Sequence, residues 1–227
     1  MLFIIIGIAL LLLICGPHLW VKYVIKKHHK HLPNTPGTGG ELAAHLLKQY
    51  QLNDVQLKEA AQDNNHYSLE DNSVNLSPDV FHGKSLSAIA IATHEVGHAI
   101  QFNRQEPISL LRTKYMGTAF RLRKIGITLL MIMPIIGVLT ALPSLSFITL
   151  IIGLITLLIS VGLHLAVLPE EWDASFNKAL PILEKGQYVP PEYLPAIKHV
   201  LTACALTYVA AALINILRLW YWLRLIR

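Results

Sequence analysis

Apolar residues gather in four blocks along this 227-residue chain: Leu2 to Val24, Ile125 to Leu142, Leu145 to Val167 and, less continuously, Ala196 to Leu217. About 20 apolar residues cross the ~30 Å hydrocarbon core of a bilayer, so the pattern predicts about four transmembrane helices. The stretch between the first two blocks has another rhythm. Thr38 and Glu41 form a T-x-x-E capping box, predicting a helix from Glu41 to about Tyr50 with Leu42, Leu46 and Leu47 on one side. Val55 to Lys58 and Ser73 to Ser77 alternate apolar with polar and predict short strands. Ser85 is placed to cap a helix from about Ser87 to Phe102. From Ile89 to Gln101 that helix carries no charged or titratable side chain except His94, Glu95 and His98.

Composition and charge sharpen this reading. The chain is 53% hydrophobic and 15% charged, against about 25% charged for a soluble domain. Lys22, Lys26, Lys27 and Lys30 follow the first apolar block instead of preceding it, which is the polarity of a retained anchor and not of a cleaved signal. With the amino terminus outside, 16 of the 19 Lys and Arg fall on the cytoplasmic side, leaving Arg218, Arg224 and Arg227 at the tail. The net charge of +5 therefore reads as membrane topology, and no nucleic-acid partner is expected. The aromatic and basic tail, Arg218 to Arg227, reads as an interfacial segment. His28, His29 and His31 beside Lys30 read as headgroup contacts rather than a metal site. Cys15 and Cys204 lie in apolar spans without a CxxC partner and read as small apolar fillers.

The chemistry is concentrated in His94-Glu95-Val96-Gly97-His98. Positions i and i+4 of a helix share a face, so both imidazoles can reach one ion, while Glu95 lies about 100° around, close enough to hold a metal-bound water without having to ligate the metal. A catalytic zinc site takes three protein ligands and keeps one open position. The metzincin extension needs Gly and His three and six residues after His98; Gln101 and Arg104 stand there instead. The hairpin of the second and third spans returns the chain to the cytoplasmic side at Leu168-Pro169-Glu170-Glu171-Trp172-Asp173. Glu170, Glu171 and Asp173 all qualify chemically as the third ligand, and they also suit any helix start. His164, near the end of a span, is their rival, although Pro169 is expected to break the helix that would align it with Glu171.

The segment Ser85 to Gln101 containing His-Glu-Val-Gly-His-Ala-Ile-Gln, with Leu168-Pro-x-Glu-x-Asp-Ala-Ser175, resembles the YugP-like neutral zinc metallopeptidases, predicted bacterial membrane proteases. The resemblance covers nearly the whole chain, including the amino-terminal anchor and the Thr38 helix start. It implies Glu171, not Glu170, as third ligand, and a bacterial inner membrane as the location. Two departures stand out. The family's Asp-His-Tyr-Asp stretch reads Asn65-His66-Tyr67-Ser68 here, and the ExxxD spacing of better-known membrane zincins is absent, since Ser175 follows Glu171 by four. Asp173 is left as a candidate carboxylate partner of a zinc histidine.

The expected fold is a mainly α membrane protein of about four transmembrane helices, with a small α+β zincin-like metal domain at the cytoplasmic surface. The parts are a transmembrane anchor (1–25), the zincin-like domain carrying HExxH (26–111), a basic segment and transmembrane hairpin (112–168), a cytoplasmic segment with the third ligand (169–198), and a transmembrane helix with its interfacial tail (199–227). The expected activity is zinc-dependent hydrolysis of peptide bonds near the cytoplasmic membrane surface, on a peptide or protein substrate, with a membrane protein as one candidate. Glu95 would be the general base, His94, His98 and Glu171 the metal ligands, and His66 and Tyr67 candidate transition-state donors. Val74 to Leu76 is either an edge strand that receives substrate backbone or part of a structural hairpin. Two other functions compete: a non-catalytic zinc-stabilised membrane adaptor, disfavoured by the intact Glu95, and a metal transporter, disfavoured because only His164 lies near a span.

Overall fold

The computed structural model describes residues 2–32 and 37–213, with side chains from residue 15 onward. The interfacial tail, Arg218 to Arg227, lies outside the described residues. The helices in chain order are α1 (Leu2–Lys27), α2 (Gly39–Gln49), α3 (Pro78–Phe81), α4 (Leu86–Asn103), α5 (Leu110–Thr140), α6 (Pro143–Leu165), α7 (Leu168–Trp172), α8 (Leu180–Lys185) and α9 (Leu194–Ala205). A π-helical stretch, Asp173–Ala179, joins α7 to α8. Three short strands, β1 (Gln56–Glu59), β2 (His66–Ser68) and β3 (Ser73–Leu76), lie between α2 and α3.

Residues Trp20–Leu110 and Pro169–Leu206 form one compact unit, and Leu111–Leu168 belongs to a second. The first unit is organised around α4. Every residue of α4 from Leu86 to Gln101 is buried, as expected of a helix that is apolar all round. It packs against α2, the sheet, the π-helical stretch and α9. Ala90, Ala92, Val96 and Ala99 let neighbours approach closely, while Leu46 on α2, Leu76 on β3 and Leu201 on α9 fill the core with no exposure. Burying each such leucine stabilises the unit by about 1.5–3 kcal/mol.

Local capping follows the sequence. Thr38 Oγ1 accepts from the Glu41 amide at 3.1 Å, and Glu41 Oε2 accepts from the Thr38 amide at 2.8 Å. Ser85 Oγ accepts from the Ala88 amide at 3.1 Å, satisfying one of the free donors at the start of α4. The backbone after α1 is tied to that start. His31 forms a bridge with Ser85, and the Ser87 amide donates to the His28 carbonyl at 3.1 Å.

The sheet order is β1-β3-β2, with β1 parallel and β2 antiparallel to β3. This corrects the edge-strand reading of Val74 to Leu76. β3 is the central strand, hydrogen-bonded on both sides and buried at all four residues, so it has no free edge for substrate. The edges are β1 and β2.

The second unit carries the hairpin. α5 is one helix of 31 residues, about 46 Å at ~1.5 Å per residue. This exceeds the bilayer core, so its basic first half extends the span begun at Ile125 instead of forming a separate segment. Helical structure resumes two residues after α6, and Pro169 sits in the first turn of α7. The expected break at Pro169 is thus confined to Ala166 and Val167. Only α6 of this long run is apolar enough to cross. After Leu168 it carries Glu170, Glu171, Asp173, Lys178, Glu184 and Lys185. Among the described residues two helical runs are long and apolar enough to cross a membrane. A third is added if Pro191–Ala205 and Thr207–Leu213, bent by 45° from each other, count as one span.

Candidate active site

The first unit brings three buried side chains to one point. His94 and His98 are one turn apart on α4, and Glu171 comes from α7. The His94 and His98 Nε2 atoms lie 3.2 Å apart, and Glu171 Oε2 is 3.3 Å from each. Among the described residues this is the one group of three metal-ligating side chains. A tetrahedral ion with bonds of about 2.0–2.1 Å would hold its ligand atoms about 3.3–3.4 Å apart. The triangle has that size.

The hydrogen bonds on the far side of each imidazole make the triangle chemically specific. Ser175 Oγ donates its only proton to the Leu201 carbonyl at 3.0 Å, so it accepts from His94 Nδ1–H, also at 3.0 Å. Gln101 Nε2 donates to the Glu170 carbonyl at 3.0 Å and to Asp173 Oδ2 at 2.8 Å. Both of those partners only accept, so Gln101 Oε1 must face His98 Nδ1–H, at 2.9 Å. Each Nδ1 is therefore protonated and each Nε2 presents a lone pair. Two lone pairs and a carboxylate oxygen converge, all under 5% exposed. Acceptors that face one another in a buried site repel, and a cation between them offsets that repulsion. The residues fit a zinc ion.

Close approach of α4 to the Asp173–Ala179 stretch is set by Gly97. A Cβ there would meet the Ala174 carbonyl oxygen at 2.8 Å and Lys178 Cβ at 3.4 Å. The π-helical winding that carries Asp173 and Ser175 is a feature frequent at functional sites. Ser175 and Gln101 stand behind the two imidazoles, and the sequence reading did not single them out. Their signals were there in part: Gln101 lies three residues past His98 on the same face, and Ser175 stands where an ExxxD motif has its aspartate. We expect Ser175→Ala to weaken zinc binding by about 10–100-fold, with a lower melting temperature of the metal-free protein because the Leu201 carbonyl and His94 Nδ1–H lose a buried partner. Competition against a chromophoric chelator measures it, and wild-type affinity would remove Ser175 from the site.

The other expected residues are distributed as follows. Glu95 is buried on α4 at 6% exposure, next to His94 in sequence and outside the triangle. Glu170 is buried, and its backbone carbonyl accepts from Gln101. Asp173 does not bond to an imidazole directly; it accepts from Gln101, from Asn177 at 2.7 Å and from Lys178 at 3.1 Å. Partial burial pushes the Asp173 carboxyl up, but these donors outweigh it and hold the group below its ordinary value. His164, in the other unit, donates from Nδ1 to the Ser160 carbonyl of its own helix at 2.7 Å and meets Phe120 edge-on. Tyr67 packs on Phe102, and its hydroxyl donates to Asn72 Oδ1 at 2.5 Å. Strand alternation puts His66 on the opposite face of the sheet from Tyr67.

Two histidines of an HExxH helix joined by a glutamate from a later helix are the ligand set of a class of zinc hydrolases. The chain belongs to the family described as "Putative neutral zinc metallopeptidase", whose model matches residues 2–227. It is 34% identical over 224 residues to "Putative membrane protease YugP" of Bacillus subtilis (strain 168), covering 96% of this chain and 94% of that protein. No solved structure matches it.

Proposed function

We propose that this protein is a membrane-embedded zinc endopeptidase of the HExxH, glutamate-ligand type, hydrolysing peptide bonds close to the cytoplasmic face of a bacterial cell membrane. The observation that carries the proposal is the convergence of three buried acceptors at 3.2–3.3 Å, with a second buried carboxylate, Glu95, next to His94 in the sequence of α4. A structural zinc site has no use for that last group. The kinship with a protein described as "Putative membrane protease YugP" supports the same activity.

His94, His98 and Glu171 would hold the ion. When bound it supplies Lewis acidity, making water nucleophilic near neutral pH and offsetting charge that develops on the scissile carbonyl. The chain's own residues do the rest. Glu95 takes a proton from the attacking water and passes it to the nitrogen of the leaving amine. Ser175 and Gln101 keep both Nδ1 atoms protonated, so that each Nε2 stays a ligand. The donor role expected of His66 and Tyr67 forms no part of this mechanism. Removing zinc with a chelator from protein in detergent is expected to abolish cleavage of an unfolded test protein such as casein, and adding zinc back to restore it. Cleavage that survives complete zinc removal would refute the proposal.

The same reading has four membrane crossings surrounded by lipid, namely α1, α5, α6 and a fourth expected within 199–227 that starts after Leu206, with the α4 unit, α9 included, in the cytoplasm. The basic residues Lys22 to Lys30 and Arg112 to Lys124, flanking that unit, favour this orientation. The substrate is a peptide or a protein, with a membrane protein as one candidate, and no nucleic-acid partner is expected. In a variant lacking Cys15 and Cys204, Gln56→Cys at the exposed start of β1 should resist a membrane-impermeant maleimide in intact cells and react in inverted vesicles. The reverse pattern would place the site outside.

A further inference from the structure

A second chain of contacts leads away from the triangle and ends in a charge pair, although none of its outer members touches a ligand. His98 Nδ1–H donates to Gln101, Gln101 donates to Asp173 Oδ2, and Lys178 donates to the same oxygen at 3.1 Å. Lys178 also pairs with Glu106 at 2.9 Å. Glu106 is itself fixed to α4, since its amide donates to the Gln101 carbonyl at 3.0 Å. The circuit thus starts and ends at Gln101, which has no exposed surface. It joins the end of α4 to the π-helical stretch that follows the third ligand.

We propose that Asp173, held by Lys178 and Glu106, is a positioning residue that acts through Gln101 to fix the ring orientation and tautomer of His98. The inference rests on the metal site of the proposed function and adds an element to it. An amide can present either end to an imidazole. With its oxygen toward His98 it leaves Nε2 a lone pair; with its nitrogen there it would force the proton onto Nε2 and spoil the ligand. Two acceptors on the amide nitrogen decide between these states. The Glu170 carbonyl is part of the backbone and is always present. Asp173 is the partner that sequence can remove, and Lys178 keeps its carboxylate directed inward instead of toward water. The arrangement differs from a direct carboxylate–histidine pair, because the negative charge stands one residue away from the imidazole and is offset by an ammonium.

The test uses full-length protein in detergent, with zinc affinity measured by chelator competition and the visible absorption of the Co2+-substituted site as a record of ligand geometry. Gln101→Leu should weaken zinc binding about 10–100-fold and alter the Co2+ bands. Asp173→Ala should weaken it less, by about 3–10-fold on the same scale, and also alter the bands. Asp173→Asn keeps an acceptor oxygen for Gln101 while Asn177, on the exposed side, can turn its amide to suit. It should return both readouts to wild type, and it guards against a misfolded alanine variant. Wild-type affinity and bands in Asp173→Ala would overturn the proposal. So would an Asp173→Asn variant as impaired as alanine, since the carboxylate would then act only as a charge partner of Lys178. Failure of the underlying site looks different: wild type would not take up one zinc, or would retain it after His94→Ala.

Discussion

Glu171→Ala purified in detergent is expected to contain almost no zinc, whereas Glu170→Ala retains about one ion per chain and Asp173→Ala does so when zinc is in excess. The argument is local. Glu171 supplies one oxygen at 3.3 Å from both imidazole nitrogens and the negative charge nearest the site. Loss of a direct ligand should exceed the ~10–100-fold effect of losing a partner behind a ligand. Without a cation, wild type buries three mutually repelling acceptors, and Glu171→Ala removes one of them. In the metal-free form this relief of repulsion works against the loss of the side chain's packing and other contacts. Saturating zinc then separates the two proteins. An ion at 1,000 times its Kd adds about 4 kcal/mol of stability, so wild type should shift upward in melting temperature while Glu171→Ala stays fixed. Full zinc content in Glu171→Ala would dismiss it as third ligand.

What could be read in the sequence was whatever depends on neighbours a few residues apart. The HExxH face and the caps at Thr38 and Ser85 follow from i+3 and i+4 spacing alone, and the structure has the capping bonds. The sheet order did not follow. β2 is three residues, His66 to Ser68, without alternation long enough to register, and the parallel pairing of β1 with β3 joins segments separated by β2. With β2 unseen, β3 looked like an edge when it is the centre. The region after Pro169 escaped for a different reason. Helical faces were projected with a 3.6-residue period, but Asp173–Ala179 winds as a π-helix, and its residues turn by a smaller angle per step. Asp173 was weighed as a direct partner of a zinc histidine, yet Gln101 stands between Asp173 and His98. Among Glu170, Glu171 and Asp173, chemistry alone left the ligand open. The fold separates them by direction: Glu171 enters the triangle, the Glu170 carbonyl holds Gln101, and Asp173 supports it from outside.

Glu95→Gln is the second variant with a large expected effect, and it separates binding from chemistry. The substitution keeps the shape of a side chain that is 6% exposed on α4, so packing against its neighbours is retained. Glu95 is outside the ligand triangle, so zinc content should match wild type. What disappears is a carboxylate able to accept a proton from water and deliver it to the leaving amine; an amide does neither at neutral pH. General acid–base assistance is worth about 10²–10⁴-fold, or about 2.7–5.5 kcal/mol in the barrier. Turnover of a test protein should fall by that factor, while binding, read from the mutant's retention of uncleaved substrate, should persist. The comparison is made on matched samples with zinc content determined on each. Undiminished turnover would remove Glu95 from the reaction and return the zinc site to a structural role. Loss of zinc together with turnover would make Glu95 a ligand and require a different proton carrier among the groups around α4. Intact zinc with turnover reduced to the predicted level is the result that a peptidase with this site must give.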